Sequence, residues 1–223
     1  MKQRILFTLL SILFFNTTFG QNPKTSETGL NKDLVAILDT IYKEDQQYRL
    51  QSQELEKKYG WESNEVQTLW KTIQMKDSIN LIKVEKILDE KGWLGTDIVG
   101  VKGNATLFLV IQHADHQTRL KYIPMLRDAV KKGNAKPSDL ALMEDRVLLA
   151  QGEKQIYGSQ LETDFKTNLY VLSPMIDPDN VDKRRAEVGL QPISEYLKFW
   201  DLTWDVEKFK KRMEVYDSEK NKK

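Results

Sequence analysis

Residues 104–117 read NATLFLVIQHADHQ, a stretch in which a continuous apolar run ends in the polar group Gln-His-Ala-Asp-His. The run is apolar on every side, so it predicts an element that is buried on all faces. Periodicity does not separate a buried helix from a buried strand here, but the helical neighbours favour a helix. Both histidines of the chain, His113 and His116, follow this run directly.

Two long amphipathic segments precede the buried run. In the first, apolar residues recur at every seventh position, which is typical of one helix face: Leu34, Ile41, Tyr48 and Leu55. The second has an apolar stripe over 66–88 and ends at Gly92. Because only a short turn separates the two segments, we expect two long antiparallel helices. Four glycines between residues 92 and 103 then predict a loop before the buried run.

The rest of the chain predicts shorter elements. We expect one helix over 117–132 and another over 138–151, with Ser138 as its cap. β-favouring residues at 155–161 and 168–172 predict a small hairpin. Further helices are expected over 177–188 and 193–200, followed by an amphipathic aromatic segment over 202–216. The predicted fold is therefore mainly α, a helical single domain with two long antiparallel N-terminal helices and a small β-hairpin.

The first twenty residues resemble a signal peptide, with Lys2 and Arg4 ahead of an apolar stretch over 5–15. That stretch is shorter than the ~20 residues that a membrane-spanning helix needs, so we expect a soluble mature chain without membrane insertion. The chain has no cysteine, which excludes a lipoprotein anchor and disulfides. We expect a periplasmic or secreted protein. Its parts are the signal peptide 1–20, a flexible lead-in 21–31, the domain 32–217 and a basic tail 218–223.

Charge and motifs exclude several classes of function. Removing Lys2 and Arg4 lowers the basic residues from 34 to 32 against 33 acidic ones, so no nucleic-acid partner is expected. The chain contains no glycine-rich phosphate loop, serine nucleophile elbow or dinucleotide fingerprint. Arg184 and Arg185 form, with Lys183, a local basic patch that could hold a carboxylate or phosphate.

Carboxylates inside apolar helix stripes mark candidate site residues. Asp45 follows Ile41 by four positions, and Asp77 follows Ile73 by four. A buried carboxylate must find a partner or change its pKa, because an unpaired buried charge is costly. One interpretation is a set of structural hydrogen bonds that fix helix register. The other is a functional polar pocket.

His113 is the candidate proton donor or acceptor, since an imidazole beside a carboxylate is readily tuned by burial and charge. Asp115 could orient it, or could equally cap the next helix. His113 and His116 are three residues apart, whereas the common zinc spacing is four. A metal site would need oxygen donors from Asp45, Asp77, Asp115 and Asp145. We assign no metal ligand and leave the cofactor unknown.

An ordered set of motifs resembles a bacterial family catalogued as domain of unknown function 6624. The matching residues are Asp45-Gln46 with Arg49, Asp77 with Asn80, Gly92-Trp93 with Gly95, Gly100 with Gly103, Gln112-His113-Ala114-Asp115, Asp145-Arg146, Tyr157-Gly158 with Gln160, and Pro174 followed by Val181-Asp182, Arg184-Arg185 and Val188-Gly189-Leu190. The set extends over about residues 34–197. The resemblance implies that these polar residues form one constellation, but it implies no reaction.

The first hypothesis is a partly buried pocket that binds a small molecule, and whether it also catalyses a reaction stays open. The tentative catalytic residues are His113, Asp115 and Asp145. The ligand-binding residues are Asp45, Gln46, Arg49, Asp77, Asn80, Gln112, Arg146, Tyr157 and Gln160. One alternative is a non-catalytic protein-interaction module with a structural polar network, whose surface is the aromatic segment Tyr196, Phe199, Trp200 and Trp204. The other is a metal-dependent hydrolase.

Overall fold

The long apolar stripes form helices in a computed structural model that describes residues 29–164, 167 and 169–220. The helices are α1 (Lys32–Tyr59), α2 (Asn64–Lys91), α3 (Thr96–His113), α4 (His116–Lys131), α5 (Pro137–Ala150), α6 (Val181–Glu187), α7 (Ile193–Lys198) and α8 (Val206–Lys220). The strands β1 (Leu161–Asp164) and β2 (Leu169–Leu172) form an antiparallel hairpin. The predicted fold class, mainly helical with a small hairpin, is confirmed. The predicted signal peptide 1–20 lies outside the described residues, as do all but the last three residues of the predicted lead-in.

The described residues fall into two compact units, an N-terminal unit over 29–135 and a C-terminal unit over 136–220. In the N-terminal unit, α1 packs against both α2 and α3. The helices α1 and α2 are antiparallel, because they pack against each other and only residues 60–63 connect them. The buried run over 105–111 lies in α3, as predicted, with every side chain at most 4% exposed.

The predicted glycine loop before the buried run is wrong in part, because Gly100 and Gly103 belong to α3. Gly100 kinks the helix with φ 72°, a conformation that favours glycine. Gly103 is buried where a Cβ would lie 3.2 Å from Leu38 Cδ1 of α1. The missing side chain therefore permits close approach of the two helices, a packing effect that outweighs the low helix propensity of glycine.

Local capping fixes most helix starts of the N-terminal unit. Asn31 accepts the Leu34 N–H at 3.1 Å, and Ser63 caps α2 through Val66.

The predicted cap of α5 is wrong: Lys136 occupies the cap position and Pro137 starts the helix, so Ser138 lies inside the first turn. Proline fits there because its fixed φ suits the first turn and no partner is needed for a missing N–H.

The C-terminal unit joins the hairpin to the short helices. Its core consists mainly of side chains from β2, α6, α7 and α8: Leu172, Met175, Val181, Ile193, Leu197, Phe209 and Met213. The hairpin is shorter than predicted, because Gln155 forms a bridge with Met175 rather than part of β1. Within the described part of the chain, no helix has an apolar stretch long enough to cross a bilayer.

Candidate functional site

Polar side chains interrupt the apolar interior of the N-terminal unit. The buried stripe of α1 continues from Ile41 to Asp45, Arg49 and Ser52. On α2, the buried stripe continues from Ile73 to Asn80. Because these stripes face the interior, helix packing removes the polar groups from water. We call the resulting group the polar layer: Asp45, Gln46, Arg49, Asp77, Asn80, Gln112 and His113.

The centre of the polar layer is a carboxylate–imidazole pair. His113 Nδ1 lies 3.0 Å from Asp45 Oδ1, and their side chains are 4% and 2% exposed. The imidazole donates from Nδ1 whether it is neutral with the proton at that atom or is cationic. Such a bond fixes the ring orientation and the tautomer, so that Nε2 is the nitrogen able to exchange a proton with another group.

Arg49 links this pair to a second carboxylate. Its Nη2 donates to Asp77 Oδ1 at 2.6 Å and lies 3.5 Å from Asp45 Oδ1. The Gln46 amide donates to the other oxygen of Asp45 at 2.6 Å. The Asp77 side chain is 24% exposed, against 6% for Arg49. Asp77 is therefore the charged group of the layer that reaches toward solvent.

Burial and charge act in opposite directions on the two carboxyls. Burial raises the pKa of Asp45, but His113, Arg49 and the Gln46 amide outweigh burial and hold that pKa well below its usual range. Burial also raises the pKa of Asp77, and there the opposing charges of Arg49 and His113 are insufficient to cancel it. Asp45 is thus a stable anion beside the imidazole, whereas Asp77 holds a proton more readily than an ordinary aspartate.

Two amides complete the polar layer. Asn80 is 0% exposed, and among the described residues no group forms a hydrogen bond with its Oδ1 or Nδ2. Gln112, next to His113 on α3, is also 0% exposed. Buried amides are normally hydrogen-bonded, because a lost bond leaves the desolvation cost uncompensated. Asn80 is an exception to this rule, because neither polar atom of its buried amide has a hydrogen-bond partner among the described residues.

Asp115 lies at the start of α4 and caps that helix. Its Oδ1 accepts the Thr118 N–H at 2.7 Å, which is the alternative that the sequence left open. Hydrogen bonds from Thr118 lower its pKa. The carboxylate in contact with His113 is that of Asp45, 68 residues earlier in the chain.

In the C-terminal unit, Asp145 binds the backbone of residues 155–160, which we call the 155–160 loop. Its carboxylate accepts the backbone N–H groups of Ile156, Tyr157 and Ser159 at 2.7–3.2 Å. It is fully buried, and burial raises its pKa against the lowering effect of these bonds. Asp145 therefore holds the loop in place.

Cationic and phenolic side chains bind the carbonyls of the same loop. Arg184 Nε donates to Ile156 O at 2.9 Å, and Arg185 Nη1 donates to Tyr157 O at 2.7 Å. Tyr196 donates to Ser159 O at 2.7 Å. Arg185 is only 2% exposed, so this part of the expected basic patch is internal to the fold. Sequence reasoning missed Tyr196 as a partner of the loop, because no local pattern relates residues 37 positions apart.

Three other predicted site residues belong to the 155–160 loop or contact it. Arg146 Nε lies 3.3 Å from Gln160 Oε1, and Gln160 Nε2 donates to Ser159 Oγ at 2.9 Å. Tyr157 is partly buried, and burial raises the pKa of its phenol. Sequence reasoning also missed Gln155, whose amide donates to Gln160 O and Ser173 O. Only its β-type context gave a signal, and that signal pointed to a strand.

The structure thus brings the predicted residues together in two sets. In the N-terminal unit, contacts join Asp45, Gln46, Arg49, Asp77 and His113, and Asn80 and Gln112 are buried in the same unit. Four others are in the network around the 155–160 loop of the C-terminal unit: Asp145, Arg146, Tyr157 and Gln160. A single pocket containing both sets stays a prediction. Over residues 29–164, 167 and 169–220, no group of three or more His, Cys, Asp or Glu side chains is arranged to hold a metal ion.

The aromatic segment proposed as an interaction surface is largely packed. Tyr196 donates its hydroxyl inward to the 155–160 loop, and Trp204 lies 5.5 Å from the Phe209 ring. Trp200 contacts Tyr170 edge to face at 5.6 Å. Phe199 is 51% exposed. Deleting the segment from residue 202 onward would therefore remove Phe209 and Met213 from the core of this unit as well as any partner surface.

The chain belongs to a family of unknown function (DUF6624), whose model matches residues 30–208. This match confirms the family resemblance drawn from the ordered motifs. No match was found among curated proteins or among solved structures.

Proposed function

We propose that this member of the family binds a small polar molecule at the polar layer of its N-terminal unit and exchanges a proton with it through His113. The observation that supports this most is the Asp45–His113 hydrogen bond of 3.0 Å between side chains that are nearly excluded from solvent. A carboxylate in that position orients the ring and stabilises the imidazolium, as a general acid or base requires.

The free-energy cost of burying the charged side chains of the polar layer also favours a functional role. Buried ion pairs contribute little net stability, because desolvation offsets their attraction and apolar residues of similar volume are often as stable. The polar layer nevertheless buries two carboxylates, a guanidinium and an imidazole among apolar stripes. A ligand that uses these groups gives a reason for retaining them.

Each charged side chain has a distinct role in this proposal. His113 is the group that exchanges the proton. Asp45 positions it, in place of Asp115, whose carboxylate caps α4. Arg49 fixes both carboxylates, and the partly exposed Asp77 forms the entrance side of the site. We further propose, from the signal-like first twenty residues, that the protein works in the periplasm or outside the cell.

Native mass spectrometry of the chain over 21–223, purified from an exporting host, tests the binding. We expect a discrete added mass that is lost in His113→Ala and in Asp45→Asn. His116→Ala is the matched control, because it removes the other histidine three residues away, outside the polar layer, and should retain the added mass.

A purely structural polar layer gives a different result. In that case no added mass appears, His113→Ala lowers the free energy of unfolding strongly, and no tested compound protects the wild-type protein from denaturation. The same added mass on the wild type and on both site variants would also contradict the proposal, since the ligand would then bind elsewhere.

A further inference from the structure

We infer that the outer face of α2 binds the surface of a membrane that contains anionic lipids. This inference concerns the N-terminal unit alone and does not depend on the polar layer. Two features of the same helix face support it: an exposed apolar stripe and the lysines around that stripe. We call the apolar residues Met75, Ile79 and Ile82 the outer stripe.

The outer stripe is exposed although its residues are apolar. Met75 is 54% exposed, Ile79 42% and Ile82 70%. Their spacing of four and three residues makes the side chains neighbours along one side of the helix. The buried residues of α2, from Val66 to Leu88, lie on another face. The helix is therefore apolar on two faces, and packing among the described residues explains only one of them.

The exposed charges around the outer stripe are positive. Three exposed lysines surround it: Lys71, Lys83 and Lys86. Acidic neighbours compensate them only in part, since Glu44 lies 3.9 Å from Lys83 and Glu90 lies 4.0 Å from Lys86. Between residues 66 and 84 the single acidic residue is Asp77, which bonds to Arg49 of α1. The face thus presents an apolar centre with a cationic border.

A lipid surface matches this combination of apolar and cationic groups. At the boundary between a bilayer and water, apolar side chains enter the acyl region while lysine ammonium groups reach the anionic headgroups. Three apolar residues are far fewer than the ~20 that a membrane-spanning helix needs, so the helix would lie on the surface.

The charges disfavour a second copy of the chain as the occupant of this face. In an antiparallel pair of outer stripes centred on Ile79, Lys83 of one copy would lie level with Met75 and Lys76 of the other. Positive charges of the two copies would then face each other, which is unfavourable. An anionic surface has the complementary charge.

Co-sedimentation of the chain over 21–223 with lipid vesicles tests the inference. One set of vesicles is pure phosphatidylcholine, and the other contains about 30% of the anionic lipid phosphatidylglycerol. We expect binding to the anionic vesicles and binding weaker by about tenfold or more to the neutral ones. Raising NaCl from about 50 mM to about 500 mM should release most of the bound protein, because salt screens the attraction between lysines and headgroups.

A double variant tests the apolar centre. Met75→Ser with Ile82→Ser removes the two most exposed side chains of the outer stripe and should weaken binding to anionic vesicles by about tenfold or more. Because both side chains are exposed, the variant is expected to fold, and thermal denaturation checks this. Leu50→Ser is the matched control, since Leu50 is an apolar residue of α1 that is 55% exposed outside the outer stripe. It should bind like the wild type.

A second double variant tests the cationic border. Each lysine near an anionic surface contributes about fivefold to the affinity, so Lys71→Gln with Lys86→Gln should weaken binding by about twentyfold. Lys131→Gln with Lys132→Gln is the control, because it removes the same charge from two exposed residues at the end of α4. We expect this control to change binding by no more than about twofold, because the removed charges lie outside the border.

Three results would overturn the inference. The first is binding to neither kind of vesicle, or to both kinds equally. The second is a folded Met75→Ser, Ile82→Ser variant that binds anionic vesicles as tightly as the wild type. The third is a wild-type dimer, measured by size-exclusion chromatography with light scattering, that becomes a monomer in the same variant, since the outer stripe would then bind a second copy of the chain.

Discussion

Two buried asparagines show how the same residue type serves different purposes. Asn104 Nδ2 donates to Leu94 O and to Asn134 O, both at 2.7 Å, and so ties the middle of α3 to two chain segments. Asn80 is equally buried but has no hydrogen-bond partner among the described residues. The first is explained by stability. The second has no such structural role among the described residues, and under the proposed function it belongs to the ligand site.

Leucine at these positions should separate the two roles. Asn104→Leu removes the donor from the carbonyls of two partly buried residues and should lower the free energy of unfolding by about 2–4 kcal/mol. Asn80→Leu removes an unpartnered amide and should change it by less than about 1 kcal/mol, or raise it. Urea denaturation measures both. An equally large loss in Asn80→Leu would mean that the Asn80 amide is satisfied inside the fold.

Asp139, in the first turn of α5, makes stability depend on pH. It is 2% exposed, and burial raises its pKa to about 6 from the usual 3.8. The folded protein therefore binds this proton more tightly than the unfolded chain. The stabilisation that comes from protonated Asp139 is complete below about pH 4 and is lost as the pH rises toward about 6.

Asp139→Asn should remove this dependence. At pH 7 we expect a free energy of unfolding higher by about 3 kcal/mol than in the wild type, since no buried charge has to be formed. Below pH 4 the two proteins should be similar. Denaturation at a series of pH values gives the comparison. A variant that is less stable than the wild type at pH 7 would show that the carboxylate is compensated.

At the scale of elements, the motif residues of the C-terminal unit bind the backbone of one loop. Asp145 of α5 accepts the N–H groups of the 155–160 loop, while Arg184 and Arg185 of α6 and Tyr196 of α7 bind its carbonyls. Three helices thus hold one irregular segment. Because loop backbone groups cannot bond to each other as those of a helix do, buried side chains must satisfy them.

Asp145→Ala should release the 155–160 loop. Three N–H groups lose their acceptor, so we expect a loss of about 3–5 kcal/mol in the free energy of unfolding. Hydrogen exchange should accelerate at the amides of Ile156, Tyr157 and Ser159. Glu153→Gln is the control, as an exposed acidic residue just before the loop. Unchanged exchange at the three amides would contradict the role assigned to Asp145.

The sequence predicts long helices correctly, because their apolar pattern repeats over many turns, and it predicts the bounds of short strands poorly. The stripes of α1 and α2 extend over many turns, so they identified both helices. The hairpin strands have four residues each, too few for a reliable pattern. Local propensity predicts Gln155 to be part of a strand, because it does not show that the Gln155 amide donates to Ser173 O, 18 residues later.

At the scale of the whole molecule, the signal-like first twenty residues predict that the protein is exported. We expect the protein in an exporting host to lose residues 1–20 and to begin at Gln21 in the periplasm or the medium. Intact mass and N-terminal sequencing of each cell fraction measure this. A cytoplasmic protein that retains Met1 would contradict export, while the proposed site could still be correct.

The candidate site could be predicted as a set of residues but not as a set of contacts. Asp45 and Asp77 stand out because they interrupt apolar stripes, and His113 stands out because it ends the buried run. Their partners could not be assigned. Asp115 is next to His113 in sequence, yet Asp45 is the residue that contacts it.

The amino-acid sequence by itself determined the helical class, the two long N-terminal helices, the buried run of α3 and the family, because periodicity and motif order are local properties of the chain. Only the tertiary structure decided that Asp45 meets His113, that Arg49 joins Asp77, and that Asp145 serves the 155–160 loop. Each pairing requires a particular register between two packed elements. That register is set by side-chain packing between segments that are distant in sequence.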